Sequence, residues 1–475
     1  MDVTISSVFK TFRGKRCIVV DSFKLTESNV IRNGFIRFRC ANKKCSVSIL
    51  TDSDVKSVIE CNSATHNHSA YTEQEIASQK MKVSVKRKAV ESIKEKPTSI
   101  IRRELMEKDK ENCSEVENSE ISLMRRVIYR ERKKAQPAST PKTLQEASEQ
   151  LYNLQSAILT RNEQFCHVNE DRSMIIFTCK DNLTLLKNCA CAFGDGTFRC
   201  APDHFQQMYT IHSYEKNFYV PVAFCFLAHK SAVTYELMWT ELQKLSVQMV
   251  GQEFNLTFFH ADFEIAAHKA ILNKFPGCQI IGCRFHVSQS WFRHIQSDKF
   301  LLRAYNDKNS ETGKWLKYFF GLSLLPPEEV FDGYLDLQTI APVKNHAIDE
   351  FCMYICSNYI ILAQFPPEMW AAPPSESPRT TNGAESFHAS YNAEFYSSHP
   401  CVHDVTRVLQ EIQSESYTKL ASIRRNVQNP VKKSTADRLK DSIKHWNEYR
   451  SGERNTSRRL HYLKEMGYLY QAKKI

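Results

Sequence analysis

The sequence predicts a multidomain α/β chain: a small β-rich module, then a basic helical segment, then a large domain of alternating strands and helices. Three observations carry this expectation. Short β-branched runs with a turn signal occupy the chain up to about residue 70, a Lys- and Glu-rich stretch follows to 134, and apolar strands alternate with amphipathic helices beyond about 145. At 475 residues the chain has room for several units of ordinary domain size. Its 42% apolar and 11% aromatic residues suffice for a real core and exclude a compositionally disordered chain.

In the first module, residues 1–72, the runs Ile18-Val19-Val20, Phe35 to Phe38 and Val47 to Leu50 read as strands, and Asn33-Gly34 is a hairpin turn signal. Cys40 and Cys45 form one close pair, and His66 and His68 form another. Tetrahedral zinc needs two such pairs brought together, and histidines two apart on an extended segment point the same way. The spacing departs from the commonest two-Cys, two-His pattern, so the same residues also fit core cysteines beside two exposed histidines.

Residues 73–136 read as three short helices, the second opening at Pro97-Thr98-Ser99 and the third at Asn118-Ser119-Glu120, an order that suits a helix-turn-helix-like arrangement. Between Lys80 and Lys134 there are 17 Lys and Arg against 10 Asp and Glu, out of a net charge of +11 for the whole chain. Such a field attracts polyanions by counterion release, although a solvated linker helix has the same composition. Lys86, Arg87, Lys88, Arg125, Arg126, Arg130, Arg132, Lys133 and Lys134 are the candidate DNA contacts, and the same clusters read as nuclear import signals. Pro137 and Pro141 mark a linker over 137–150.

The start, Met1-Asp2-Val3-Thr4, lacks the basic and apolar runs of a secretory signal, and no apolar run is long enough for a membrane span. A reducing compartment is therefore expected, in which the 16 cysteines are thiols or metal ligands.

The large domain is expected over 151–418. Ala192-Phe193, Gln207 to Ile211 and Val220 to Leu227 read as three successive strands. A helix from about Thr234 to Met249, a strand at Leu256 to His260, a helix opening at Asp262 and a strand at Cys278 to Gly282 follow. Three strands, helix, strand, helix, strand is the order of an RNase H-like, retroviral-integrase-type core. A helical insertion spans about 287–378, ending in a loop with Pro366, Pro367, Pro373, Pro374 and Pro378; a basic helical tail covers 419–475.

Three acidic residues stand out. Asp195 lies at the end of an apolar strand between Gly194 and Gly196, glycines that would let a metal or phosphate approach the backbone, though Asp-Gly is also an ordinary turn. Asp262 ends the fourth strand and also suits a helix cap. Glu385 sits in the first turn of a helix opened by Asn382, where a capping role is equally natural. Together, carboxylates from two strands and a helix offer the hard oxygen ligands that Mg²⁺ or Mn²⁺ prefer, and a pair of such ions suits phosphodiester chemistry.

Two resemblances sharpen these readings. Arg13-Gly14-Lys15, Phe23, Phe38-Arg39-Cys40, Cys45 and His66-Asn67-His68 resemble the FLYWCH-type zinc finger over about residues 5 to 70, with Phe38 where a tryptophan is usual. That implies a DNA- or protein-binding module holding zinc through Cys40, Cys45, His66 and His68. Asp-Gly-Thr-Phe at 195–198, Asp-Phe-Glu at 262–264, Cys283-Arg284-Phe285-His286 and Thr381-Asn382-Gly383-Ala384-Glu385 resemble the Mutator-like (MULE) transposase domain over about residues 190 to 395. The resemblance implies a catalytic triad of Asp195, Asp262 and Glu385, with Cys283 and His286 supporting the active site. Those two alone could hold zinc only with further partners, and the neighbouring sequence offers none. Cys189, Cys191, Cys352 and Cys356, like Trp239, Trp291 and Trp370, fit packing positions instead.

The function so implied is a nuclear DNA transposase that binds zinc and double-stranded DNA at terminal repeats, assembles as a homo-oligomer there, and cleaves and joins strands by two-metal catalysis. The alternative is a transposase-derived regulator that binds DNA without catalysis.

Overall fold

In the computed structural model, which describes residues 4–11, 13–31, 34–92, 95–109, 118–375 and 382–472, the β-branched runs near the start become part of a six-stranded antiparallel meander. Its strands are β1 (Ile5–Lys10), β2 (Arg16–Val20), β3 (Phe23–Val30), β4 (Ile36–Cys40), β5 (Ser48–Thr51) and β6 (Val58–Cys61), paired in chain order. Alternate residues of β4, Ile36, Phe38 and Cys40, point inward and pack with Ile18, Val20, Leu25 and Ile49. The expected turn at Asn33-Gly34 lies partly outside the described residues, since Asn33 is not among them.

Three helices complete the first unit, Met1–Thr140: α1 (Glu73–Glu91), α2 (Pro97–Asp109) and α3 (Asn118–Lys134). Thr72 and Glu75 close a capping box at the start of α1. Met81, Val85 and Ala89, one turn apart, meet Ile100 and Ile101 of α2 and Met124 and Ile128 of α3. Arg132, one further turn along α3, is also turned inward. Its guanidinium donates to the carbonyl oxygens of Ala89 at 3.1 Å, Ser92 at 2.8 Å and Glu95 at 2.6 Å, supplying donors to carbonyls at and beyond the end of α1. This corrects its expected place among the DNA contacts: Arg132 is a tie between helices. Arg132→Ala is expected to cost roughly 2–3 kcal/mol through these lost charge-assisted bonds, and an unfolding midpoint equal to that of the native chain would refute it.

The second unit, Pro141–Ile475, begins with α4 (Leu144–Leu154), which buries Ala147 and Leu151. The linker expected over 137–150 is therefore shorter, and the boundary expected at 151 falls inside this helix. A two-stranded ribbon, β7 (Leu159–Thr160) and β8 (Glu163–Gln164), precedes β9 (Cys166–Val168), β10 (Ile175–Phe177) and α5 (Lys180–Asn188). Then come β11 (Cys191–Thr197), β12 (Gln207–Glu215), β13 (Phe218–Leu227), α6 (Ala232–Val250), β14 (Phe258–Ala261), α7 (Ile265–Lys274) and β15 (Gln279–Gly282). The sheet order is β15-β14-β11-β12-β13-β10-β9, with β14 parallel to both its neighbours and the other pairings antiparallel. Trp239 of α6 is packed between Phe254, Phe259 and Phe275, a core position as its sequence context suggested.

After the sheet come α8 (Arg284–Ser297), α9 (Lys299–Asn306), α10 (Glu311–Tyr318), α11 (Val330–Thr339), α12 (His346–Ile355) and α13 (Pro367–Trp370). They build a second core around Trp291, Trp315, Phe319, Phe320, Phe351 and Trp370. The chain returns to the sheet with α14 (Asn382–Ala393) and α15 (Val402–Arg424), then ends in α16 (Lys433–Arg450) and α17 (Thr456–Tyr470). The last two helices are not a detached tail. Tyr449, Tyr462, Leu463 and Met466 belong to the second core, and the boundary expected at 418/419 falls inside α15. Gly467 allows a close approach, because a Cβ there would lie 2.5 Å from the Lys317 carbonyl oxygen.

Candidate functional site

In the first unit, β4 ends at Cys40, and a tight turn carries Cys45 back beside it, with the Cys40 amide donating to the Val47 carbonyl at 2.9 Å. The segment after β6 brings the two histidines across. Cys40 Sγ lies 3.1 Å from His68 Nε2, and Cys45 Sγ lies 3.3 Å from His66 Nδ1. All four ligand atoms fall within 4.8 Å of one another. Tetrahedral zinc with ordinary bond lengths separates sulfur from nitrogen by roughly 3.6 Å, so the donor set fits with small adjustments. Phe23 stacks on His66 at 3.6 Å between ring centroids and holds it in place. Burial, aided by His68, keeps the His66 imidazole below its ordinary pKa, which favours the neutral, ligating form.

In the second unit, strand register brings two acids to one end of the sheet. Phe193 of β11 pairs in parallel with His260 of β14. Asp195 lies two residues beyond the first and Asp262 two beyond the second, so both follow the same side of the pleat. β15 pairs Gly282 with Ala261, and the Cys283 amide donates to the Ala261 carbonyl at 2.8 Å, so Cys283 leaves the sheet at the same end. Asp195 itself is interior to β11, opposite Thr210 of β12, rather than at the strand's end as the sequence suggests. The flanking glycines also have a different reason from the one expected. A Cβ at Gly194 would meet the Tyr209 and Phe259 rings, and one at Gly196 would lie 2.5 Å from Gln207 Oε1, so side chains fill that space.

α14 supplies the third acid. It packs on β11, with Gly383 against the face of the Tyr219 ring and Ala384, His388 and Tyr391 buried on one side of the helix. Glu385 Oε1 lies 3.6 Å from His286 Nε2 and 4.0 Å from Cys283 Sγ. Thr381 of the motif lies outside the described residues.

Electrostatics tie the group together. Burial, reinforced by Asp195, holds the Asp262 carboxyl above the ordinary carboxylate range, while His286 and His268 pull the other way. Burial opposes a charge on His286, yet Cys283, Glu385 and Asp195 outweigh it and push the imidazole up to about 9. His286 thus feels two of the acids and acts on the third. A half-buried cluster with this surplus of acidic groups favours cations.

One residue of this site was missed in the sequence. His388 Nδ1 lies 3.1 Å from Asp195 Oδ2, and its Nε2 lies 2.8 Å from Thr210 Oγ1. His212 Nε2 reaches the same hydroxyl at 3.0 Å. The legible signal was Glu385-x2-His388, a spacing that puts both side chains on neighbouring positions of one helix face.

The remaining cationic candidates lie on α1 and α3. Arg125, Arg126, Arg130, Lys133 and Lys134 are exposed on α3. Lys88 pairs with Glu104 and Glu107, Lys86 with Glu131 at 3.6 Å, and Arg87 with Glu91 at 3.7 Å. Lys134 also reaches Glu131, at 3.0 Å, and Arg130 does so at 3.6 Å. The cationic face is therefore centred on α3.

Comparison with known families matches residues 191–290 to the MULE transposase domain and residues 8–68 to the FLYWCH zinc finger domain. Asp195, Asp262, Cys283 and His286 fall inside the first match, and Glu385 lies beyond it. The four Cys and His ligands fall inside the second. No curated protein matches the chain.

Proposed function

We propose that this chain, which carries a FLYWCH zinc finger at its amino end and a MULE transposase domain in its larger unit, is a transposase that cleaves and rejoins DNA. The observation that carries the proposal is that Asp195 and Asp262 follow neighbouring strands to one end of the sheet, where His286, beside Glu385, couples electrostatically to all three acids. The strand order, three antiparallel strands followed by two parallel ones reached through helices, supports an RNase H-like core.

Asp195, Asp262 and Glu385 would hold Mg²⁺ or Mn²⁺, and their all-oxygen donor set fits either ion. When bound, a pair of such ions activates the attacking oxygen and stabilises the leaving oxygen of a phosphodiester. The protein's part is placement. Pairing across β11, β12 and β14 fixes the two aspartates, and His388, anchored on Thr210, holds the Asp195 carboxylate in one orientation. The α14 helix, packed on β11, carries Glu385 beside His286.

The zinc finger and the three-helix bundle with its cationic α3 support recognition of double-stranded DNA at the ends of the element. Assembly into a homo-oligomer on that DNA and residence in the nucleus belong to the same proposal. Among the described residues no helix is long and apolar enough to cross a membrane.

Purified chain with Mn²⁺ is expected to nick DNA bearing terminal repeats, and Asp195→Ala is expected to abolish nicking while leaving DNA binding intact. Nicking that survives the substitution overturns the triad. Binding without nicking in the native chain would instead favour a regulator that keeps the fold and not the chemistry.

A further inference from the structure

Beside the oxygen donors that hard cations take, the acidic cluster has a softer set. Cys283 caps α8 and is fully buried, His286 stands one turn into that helix, and Glu385 reaches them from α14. One ligand atom from each of the three lies within 4.8 Å of the others. His286 Nδ1 is shielded from solvent and has no hydrogen-bond partner among the described residues, an unusual state for a buried imidazole nitrogen.

We infer that Cys283, His286 and one oxygen of Glu385 form a zinc site, separate from that of the finger, with its fourth coordination position open. The distances are close to those zinc would impose. At tetrahedral angles and ordinary bond lengths, nitrogen and oxygen ligands stand roughly 3.3 Å apart, and sulfur and oxygen roughly 3.5 Å. The observed separations are 3.6 Å for His286 Nε2 to Glu385 Oε1 and 4.0 Å for Cys283 Sγ to the same oxygen. A contraction of a few tenths of an ångström brings both pairs to those separations, and the third pair, Cys283 and His286, lies within 4.8 Å. One thiolate and one carboxylate balance the charge of the ion, so burial imposes no net charge. Thiolate and imidazole select zinc over Mg²⁺, which takes oxygen ligands.

The third ligand is absent from the sequence around Cys283 and His286, because Glu385 stands 102 positions beyond Cys283 and only folding brings it in. The consequence for DNA cleavage rests on the triad reading given above. With one carboxylate oxygen on zinc, the other remains for a harder ion, so zinc would fix where Glu385 stands relative to Asp195 and Asp262. Zinc binding itself stands on the Cys, His and Glu geometry.

The test is metal stoichiometry of the full chain after zinc loading and gel filtration, measured by mass spectrometry, with cobalt substitution as a second readout. The native chain is expected to hold two zinc ions, and Cys283→Ser and His286→Gln one each. A Cys40→Ser, Cys45→Ser chain is likewise expected to hold one, with cobalt at the remaining site showing thiolate-to-metal absorption that Cys283→Ser removes. If Cys283→Ser fails to fold, as read by its far-ultraviolet circular dichroism, His286→Gln carries the comparison. A native chain with a single zinc, or an unchanged count in both Cys283→Ser and His286→Gln, overturns the inference. Two zinc ions without DNA nicking would remove only the cleavage reading; nicking with one zinc would remove only this site.

Discussion

Asp262→Asn is expected to lower DNA cleavage by on the order of 10³-fold or more while leaving the metal-free chain at least as stable as the native one. Loss of a residue that merely supports a metal ligand commonly costs about 10–100-fold, and Asp262 is proposed as a ligand itself. Its effect on stability has the opposite sign for a physical reason. Burial above all, reinforced by the Asp195 carboxylate, raises the Asp262 carboxyl above its ordinary pKa. A carboxyl raised in the fold contributes stability that is fully present below the unfolded pKa and is lost as pH rises through the folded value. At neutral pH, without metal, the Asp262 carboxyl therefore opposes folding, and asparagine removes that opposition. Thermal melts should show a midpoint for metal-free Asp262→Asn equal to or above the native one at pH 7, with the difference shrinking in acid. Added Mg²⁺ should raise the native midpoint and leave that of the variant nearly unchanged. A variant that melts well below the native chain at pH 7 would mark Asp262 as a structural residue.

Zinc removal should have the largest effect on the first unit. Structural zinc in small finger modules contributes roughly 10–16 kcal/mol of apparent binding free energy at neutral pH. The finger's own core is small, built on residues such as Ile18, Leu25, Ile36, Phe38 and Ile49, and leaves little margin without the ion. Cys45→Ser, or chelation, is expected to abolish the low-temperature unfolding transition of this module and to weaken DNA binding at least tenfold. The sheet of the larger unit should still melt cooperatively. Retention of the finger's amide signals by nuclear magnetic resonance after complete zinc removal would show that its sheet holds without metal.

Where side chains announce their environment, the sequence was legible. The runs at Ile18, Phe38 and Val47 became strands, and the order from β11 to β15 followed the alternation of apolar strands and amphipathic helices. β9 and β10 were not read, since three residues are too few for a period to show, and their burial comes from pairing with β13. β1 and β3 were missed because their Lys, Ser, Thr and Glu residues break any apolar run. At the site, the motif acids were legible one by one, and the expected strand order set Asp262 beside Asp195; the Phe193 to His260 register that fixes their positions was not legible. His388 escaped because a histidine beside a stronger motif residue carries no mark of its own. Arg132 was misread because charge alone does not reveal which side of a helix faces the core, whereas its spacing of four from Ile128 does.

The sharing of one core by α8 to α13 and by the final helices has a consequence for synthesis. A nascent chain emerges amino end first and folds unit by unit, so Trp291, Trp315 and Phe320 leave the ribosome long before Tyr449, Leu463 and Met466. During that interval their apolar faces have no cover, and they invite chaperones or aggregation. A chain stopped after Asn455 is expected to bind a hydrophobic dye and to be cut by protease between 311 and 339, where α17 would otherwise lie. Closure of the second core then waits on translation of α16 and α17.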